Sequence, residues 1–229
     1  MALDIFVMPL SRYLSGDFMT GLERFMAAQG ALHQYHRTSP KPSLPPEEAR
    51  AFVADLRRQL AAALGPEIRW RDEGDTVFAE QFSFDAWHAL RAFAADQTRP
   101  APGFRFDRDP HRHPGLDEIF DGAPSSFRHL IRHHDNQGFY LPTDFREPFG
   151  LPLWEGERAA PLVGSSLALL RELNALGARL GLTRDQGEEG WTEPFVRGDP
   201  LEPVKHGWVF MRHCARLSVR HKLPIIFDG

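Results

Sequence analysis

A chain of 229 residues that is 42% hydrophobic and 25% charged can bury a sizeable core, as a globular protein does. Its formal net charge of −4 argues against a general attraction to nucleic acid or to an anionic membrane surface. No apolar run approaches the roughly 20 residues that cross a bilayer, and we expect no signal peptide. With Cys214 as the single cysteine, an internal disulfide is excluded, and we predict a cytoplasmic location.

The first half of the chain alternates strand-like and helix-like patterns. Apolar runs bounded by proline or glycine predict strands, and apolar residues three and four apart predict helices. In chain order we predict a strand at 3–10, helices at 16–30 and 45–66, a hairpin turning at 73–75, a helix at 83–93 and an irregular loop at 97–114.

The second half is more strongly patterned. We predict a short helix at 125–134, an extended segment at 138–145, helices at 164–181 and 204–222, an acidic loop at 184–203 between them, and a final buried strand at 223–229. Pro142 makes the extended segment an edge strand or a loop. The order of elements predicts an α+β fold, a single domain over 1–229 with a small mixed or antiparallel sheet packed by about six or seven helices. The first and last strands should lie inside that sheet.

Histidines are concentrated in the segment "SSFRHLIRHHDNQGFYLPTDF", residues 125–145. His129 and His133 stand four apart, which places both imidazoles on one helix face, as a zinc site requires. His134 and Asp135 follow as further candidate ligands. A metalloprotease helix has glutamate directly after the first histidine, whereas Leu130 stands here. The simpler interpretation is a polar helix end and turn, so we predict no bound metal and no cofactor.

Carboxylates for acid–base catalysis are harder to assign. Asp135 and Asp144 could form a pair, as could Glu188 and Glu189, but carboxylates are common and their spacing alone does not identify a reaction. An enzyme is therefore the alternative rather than the leading hypothesis: a hydrolase or metal-dependent enzyme centred on residues 129–135, with Asp144 in the same candidate ligand cluster.

The acidic loop at 184–203 is the second candidate site. Glu188, Glu189 and Glu193 surround Trp191, and an aromatic anchor with a charged rim is typical of a protein interface. We predict that these four residues contact a protein partner. The competing interpretation is that the loop packs on its own body.

A family resemblance points the same way. The segments "SSFRHLIRHHDNQGFYLPTDFREPF", "GSSLALLRELNAL" and "LPIIFDG" resemble uncharacterised bacterial cytoplasmic proteins, among them immunity proteins of polymorphic toxin systems. The resemblance covers residues 120–229. It implies a non-enzymatic protein that binds and inhibits a co-encoded toxin domain. From the net charge and the lack of a long apolar run, we expect no membrane association and no direct nucleic-acid binding.

Overall fold

The computed structural model describes residues 2–34, 41–65, 68, 70–150, 163–183, 186 and 198–229. In these ranges five strands form one mixed sheet in the order β2-β1-β5-β3-β4. The strands are β1 (Ala2–Val7), β2 (Phe78–Ser83), β3 (Gln137–Leu141), β4 (Val163–Ser165) and β5 (Ile225–Asp228). Strand β1 runs antiparallel to β2 and β5, and β5 runs antiparallel to β3, whereas β3 and β4 are parallel.

Eight α-helices surround the sheet in the described part of the chain. They are α1 (Leu10–Leu14), α2 (Gly21–Ala28), α3 (Pro46–Leu64), α4 (Phe84–Asp96), α5 (Pro114–Phe120), α6 (Arg128–Arg132), α7 (Ser166–Arg179) and α8 (Glu202–His221). None of these described helices is long and apolar enough to cross a membrane.

Both faces of the sheet are buried. Along β1, Leu3, Ile5 and Val7 face a cluster that also contains side chains of α4, α7 and α8. Phe6 and Met8, which alternate with them, face a second cluster with side chains of α1 and α3. Because successive residues of a strand point to opposite faces, a strand buried on both sides needs a continuous apolar run. This explains why β1 and β5 were recognisable in the sequence.

Two glycines allow the helices of the first face to pack closely. A Cβ at Gly207 of α8 would lie 2.4 Å from the carbonyl oxygen of Ala86 in α4, and a Cβ at Gly177 of α7 would lie 2.4 Å from the Trp208 ring. Trp208 also donates a hydrogen bond from Nε1 to the Leu173 carbonyl at 2.5 Å. A side chain at either glycine would therefore push α8 away from its neighbours.

The α+β fold with a small mixed sheet is confirmed, and the first and last strands lie inside it as predicted. The predicted hairpin at 73–75 is wrong, because residues 70–77 form no strand and β2 pairs with β1 instead. The edge-strand interpretation of 138–145 is also wrong, because β3 lies between β5 and β4 and ends one residue before Pro142. The short elements α1, α5 and β4 were missed.

Candidate functional site

The histidine-rich segment contains the five-residue helix α6, and a buried carboxylate accepts hydrogen bonds from the N-terminal end of this helix. Glu172 of α7 accepts hydrogen bonds from the backbone N–H groups of His129 at 3.0 Å and Leu130 at 2.9 Å. These donors have no partner within a helix this short, so a side chain must supply one. Burial raises the pKa of Glu172 to about 7, although the same backbone hydrogen bonds act in the opposite direction.

At the C-terminal end of α6, a buried guanidinium donates hydrogen bonds to the backbone. Arg91 of α4 donates hydrogen bonds to the carbonyl oxygens of Leu130 at 3.3 Å, Ile131 at 2.7 Å and His133 at 3.3 Å. Carbonyl groups at a helix end lack intrahelical donors, and the planar guanidinium serves several of them at once. A five-residue helix that would be marginal alone is thereby fixed at both ends.

His129 connects three segments of backbone through its buried imidazole. Its Nε2 lies 3.1 Å from the carbonyl oxygen of Phe145 and 3.2 Å from that of Arg146, and its Nδ1 accepts a hydrogen bond from the Ser165 N–H at 3.0 Å. The N–H donor places the proton on Nε2, because Nδ1 must be an acceptor. Burial lowers the pKa of His129 to about 4, so the ring is neutral.

His133 packs in the core beside Tyr140. The two rings stack with centroids 4.1 Å apart, and His133 Nδ1 lies 2.8 Å from the His134 carbonyl oxygen. Gly164 makes this stack possible, since a Cβ there would lie 2.3 Å from the Tyr140 ring. Burial lowers the pKa of His133 to about 3. Its neutral ring fills space between α6 and the sheet.

Asp135 joins His134 to two residues that sequence reasoning missed. Its carboxylate lies 3.4 Å from His134 Nδ1, 3.6 Å from His88 Nε2 and 3.7 Å from an Arg91 terminal nitrogen. His88 and Arg91 are both buried in α4. The signal available in the sequence was their spacing of three, which places two polar side chains on one face of an otherwise apolar helix. Burial lowers the pKa of His88 to about 4.

Asp144 has a separate partner. Arg171 holds it through two hydrogen bonds of 2.9 and 2.6 Å, with both side chains more than half exposed. Asp144 therefore forms a bidentate surface ion pair rather than a carboxylate pair with Asp135.

The contacts of the histidines are mostly with backbone. Among the residues that the structure describes, no three histidine, cysteine, aspartate or glutamate side chains form a group that could hold a metal ion. The cluster around α6 therefore has a clear structural role, and its role as a ligand site stays a prediction. Glu188, Glu189, Trp191 and Glu193 lie outside the described residues, so the predicted interface of the acidic loop also stays a prediction.

Replacing Glu172 tests directly whether its carboxylate stabilises α6. The substitution Glu172→Ala should lower the free energy of unfolding by about 2–3 kcal/mol, because two buried N–H groups lose their acceptor. Urea unfolding at pH 7, followed by tryptophan fluorescence, measures the change. The matched variant Glu172→Gln keeps one acceptor oxygen and should lose about half as much. Equal stability of the alanine variant and the wild type would contradict this assignment.

Comparison with protein-family models finds a match over almost the whole chain. A family model described as "Putative DNA-mimic protein" matches residues 1–227. No curated protein and no solved structure matches the chain. The family match does not bear on the resemblance to immunity proteins, which stays a prediction.

The match corrects the prediction about partners. That prediction set nucleic acid aside and offered a toxin domain as the candidate partner, whereas the matching family is described by its likeness to DNA. The prediction that DNA has no part in what the protein binds was wrong. The error came from the net charge of −4, which argues against binding DNA but not against imitating it.

Proposed function

The chain belongs to this DNA-mimic family, and we propose that it binds a DNA-binding protein at the surface which that protein otherwise uses to contact DNA. The observation that carries the proposal is the extent of the match, since residues 1–227 include every described strand and helix except the last residue of β5. Its role is then to occupy a partner by binding rather than to catalyse a reaction.

The chemistry of such a partner defines what the mimic must present. DNA-binding proteins neutralise phosphates with lysine and arginine, and most of their hydrogen bonds go to the DNA backbone. A protein that competes for this surface needs carboxylates that face solvent. Exposed carboxylates of this kind include Asp17, Glu73, Asp75, Glu80 and Asp85 on or near β2.

The modest net charge limits how much long-range attraction contributes. A net charge of −4 over 229 residues is far below the charge density of duplex DNA. Affinity must then come largely from fixed shape and from apolar contact within the interface. Binding of the mimic should consequently depend less steeply on salt than binding of DNA to the same partner.

The alternative of a hydrolase or metal-dependent enzyme has weaker support. The ring nitrogens of His129 lie against backbone groups, and the His133 ring is stacked in the core. A general base or metal ligand needs a nitrogen that can face substrate or metal. These contacts favour binding as the function.

Competition against DNA tests the proposal. DNA-binding proteins from the source organism are purified on double-stranded DNA-cellulose, and the pure chain is passed over the loaded column. We expect at least one protein to be released, to bind the chain as a purified pair, and to be recaptured by excess 30-base-pair duplex. Bovine serum albumin serves as the control eluent. The proposal fails if no protein is released, or if the released protein binds chain and duplex at the same time.

A further inference from the structure

We propose that the DNA-binding partner docks on one groove beside helix α2, an inference that rests on the proposed function. The α2 groove has a volume of about 450 Å³ and lies between the start of α2 and the segment that leads into β2. Its lining residues are Arg12, Gly16, Asp17, Phe18, Met19, Arg24, Asp75 and Thr76.

Helix α2 presents apolar side chains that the fold does not cover. Its one buried side chain is the polar Glu23, whereas Phe25 is 60% exposed and Met19, just before the helix, is 36% exposed. Large apolar side chains exposed within one short segment cost solvation free energy and often mark an interaction surface. Aromatic residues in particular supply much of the binding energy when a partner buries them.

The helix that carries these side chains is held in place at its start. Thr20 and Glu23 form a reciprocal capping box at 3.0 and 2.7 Å, and Lys41 lies 3.1 Å from the Glu23 carboxylate. Arg24 donates a hydrogen bond to the Ala79 carbonyl oxygen of β2 and thereby covers the edge of the sheet. A fixed platform binds with a smaller entropic cost than a loop that must first become ordered.

Around the groove the carboxylates are more exposed to solvent than the arginine that they contact. The Arg12 side chain is 31% exposed and contacts Asp17 at 2.8 Å, Asp75 at 3.2 Å and the Gly74 carbonyl oxygen at 3.0 Å. The carboxylates on these contacts are much more exposed: 67% for Asp17 and 101% for Asp75. On these contacts the carboxylates are therefore the outermost charged groups, whereas Arg12 is held by partners within the chain.

At the other arginine of the groove the carboxylate is again more exposed than the guanidinium. Arg24 is 43% exposed and lies 3.9 Å from Glu80, which is 56% exposed. Asp17 and Asp75 line the groove together with Met19, and Glu80 lies beside its Arg24. This combination fits a surface of lysine and arginine that binds phosphates, with Met19 and the exposed Phe25 of α2 adding contact area that DNA does not provide.

The end of helix α5 provides a matched comparison. There Asp117 and Asp121 flank Phe120, which is 40% exposed. This region has a similar composition, but it is not part of the groove and exposes a single large apolar side chain. Equivalent substitutions at the two places therefore separate a docking surface from a general effect of charge or of exposed apolar area.

Two variants in or next to the groove and two controls test the proposal against the protein released from DNA-cellulose. Phe25→Ser should weaken binding about thirtyfold through faster dissociation. The double variant Asp75→Lys with Glu80→Lys should slow association about tenfold at low salt. The controls Phe120→Ser and Asp117→Lys with Asp121→Lys should change either rate less than about twofold. Thermal unfolding of all four variants verifies that each is folded at the assay temperature.

The outcomes separate this inference from the proposed function. If the wild-type chain releases no protein, both fall together. If it releases a protein and the groove variants bind as the wild type does, or if the α5 controls weaken binding equally, the docking surface is overturned while the proposed function stands. If light scattering shows a dimer that Phe25→Ser dissociates, the groove binds a second copy, and the docking proposal is again overturned.

Discussion

Lowering the pH from 7 to 4.5 is expected to reduce the free energy of unfolding by about 5 kcal/mol, because three buried histidines are held neutral in the folded protein. Burial lowers the pKa of His88 and His129 to about 4 and that of His133 to about 3, from an ordinary 6.5. Their contribution to stability is fully present above pH 6.5. It is lost as the pH falls from 6.5 through these folded-state values, since the unfolded chain binds the protons first.

Glu172 acts in the opposite direction over the same range. Burial raises its pKa to about 7 from 4.5, so its contribution is complete below pH 4.5 and is lost as the pH rises through 7. One carboxyl group therefore offsets about one of the three histidines. These four groups together should take up about two protons when the protein unfolds at pH 5.5.

Urea unfolding in steps of half a pH unit measures this dependence. The variant Glu172→Gln removes the opposing carboxyl and should raise the proton uptake at pH 5.5 to about three. A free energy of unfolding that stays constant between pH 7 and 5 would show that the three imidazoles are not held neutral by burial.

Replacing Arg91 with leucine should lower the free energy of unfolding by about 3–5 kcal/mol. The leucine leaves three buried carbonyl oxygens of the α6 region without their donor and removes a positive charge beside Asp135. Unsatisfied buried acceptors cost the full desolvation free energy, which packing of the leucine cannot recover. Urea unfolding at pH 7.5 gives the total effect, and hydrogen exchange should locate the loss of protection in α6.

Two further variants test whether the lost hydrogen bonds of Arg91 cause this loss of stability. Arg91→Lys keeps the charge but loses the planar fork, so its effect should lie between wild type and leucine. Arg99→Leu removes a half-exposed arginine paired with Glu118 at 3.0 Å, and it should cost less than about 1 kcal/mol. If Arg91→Leu destabilises the protein no more than Arg99→Leu does, Arg91 does not hold the end of α6.

The sequence by itself determined the elements whose pattern is local. Strands β1 and β5 are apolar runs next to proline, which only a position inside a sheet can bury on both faces. Helices α3, α7 and α8 carry apolar residues at helical spacing between recognisable ends. Short elements such as α1 and β4 have no such pattern, because five helical residues or three strand residues complete hardly more than one period.

Only the tertiary structure decided what the polar residues of the candidate site do. His129 receives its partners from Phe145, Arg146 and Ser165, and α6 is held by Glu172 at one end and Arg91 at the other. These contacts join residues 16 to 43 positions apart. A sequence window reports which side chains share one helix face or one strand face. It does not report which backbone groups a distant segment leaves without a partner, and those unsatisfied groups determine where buried histidine, arginine and glutamate side chains are required.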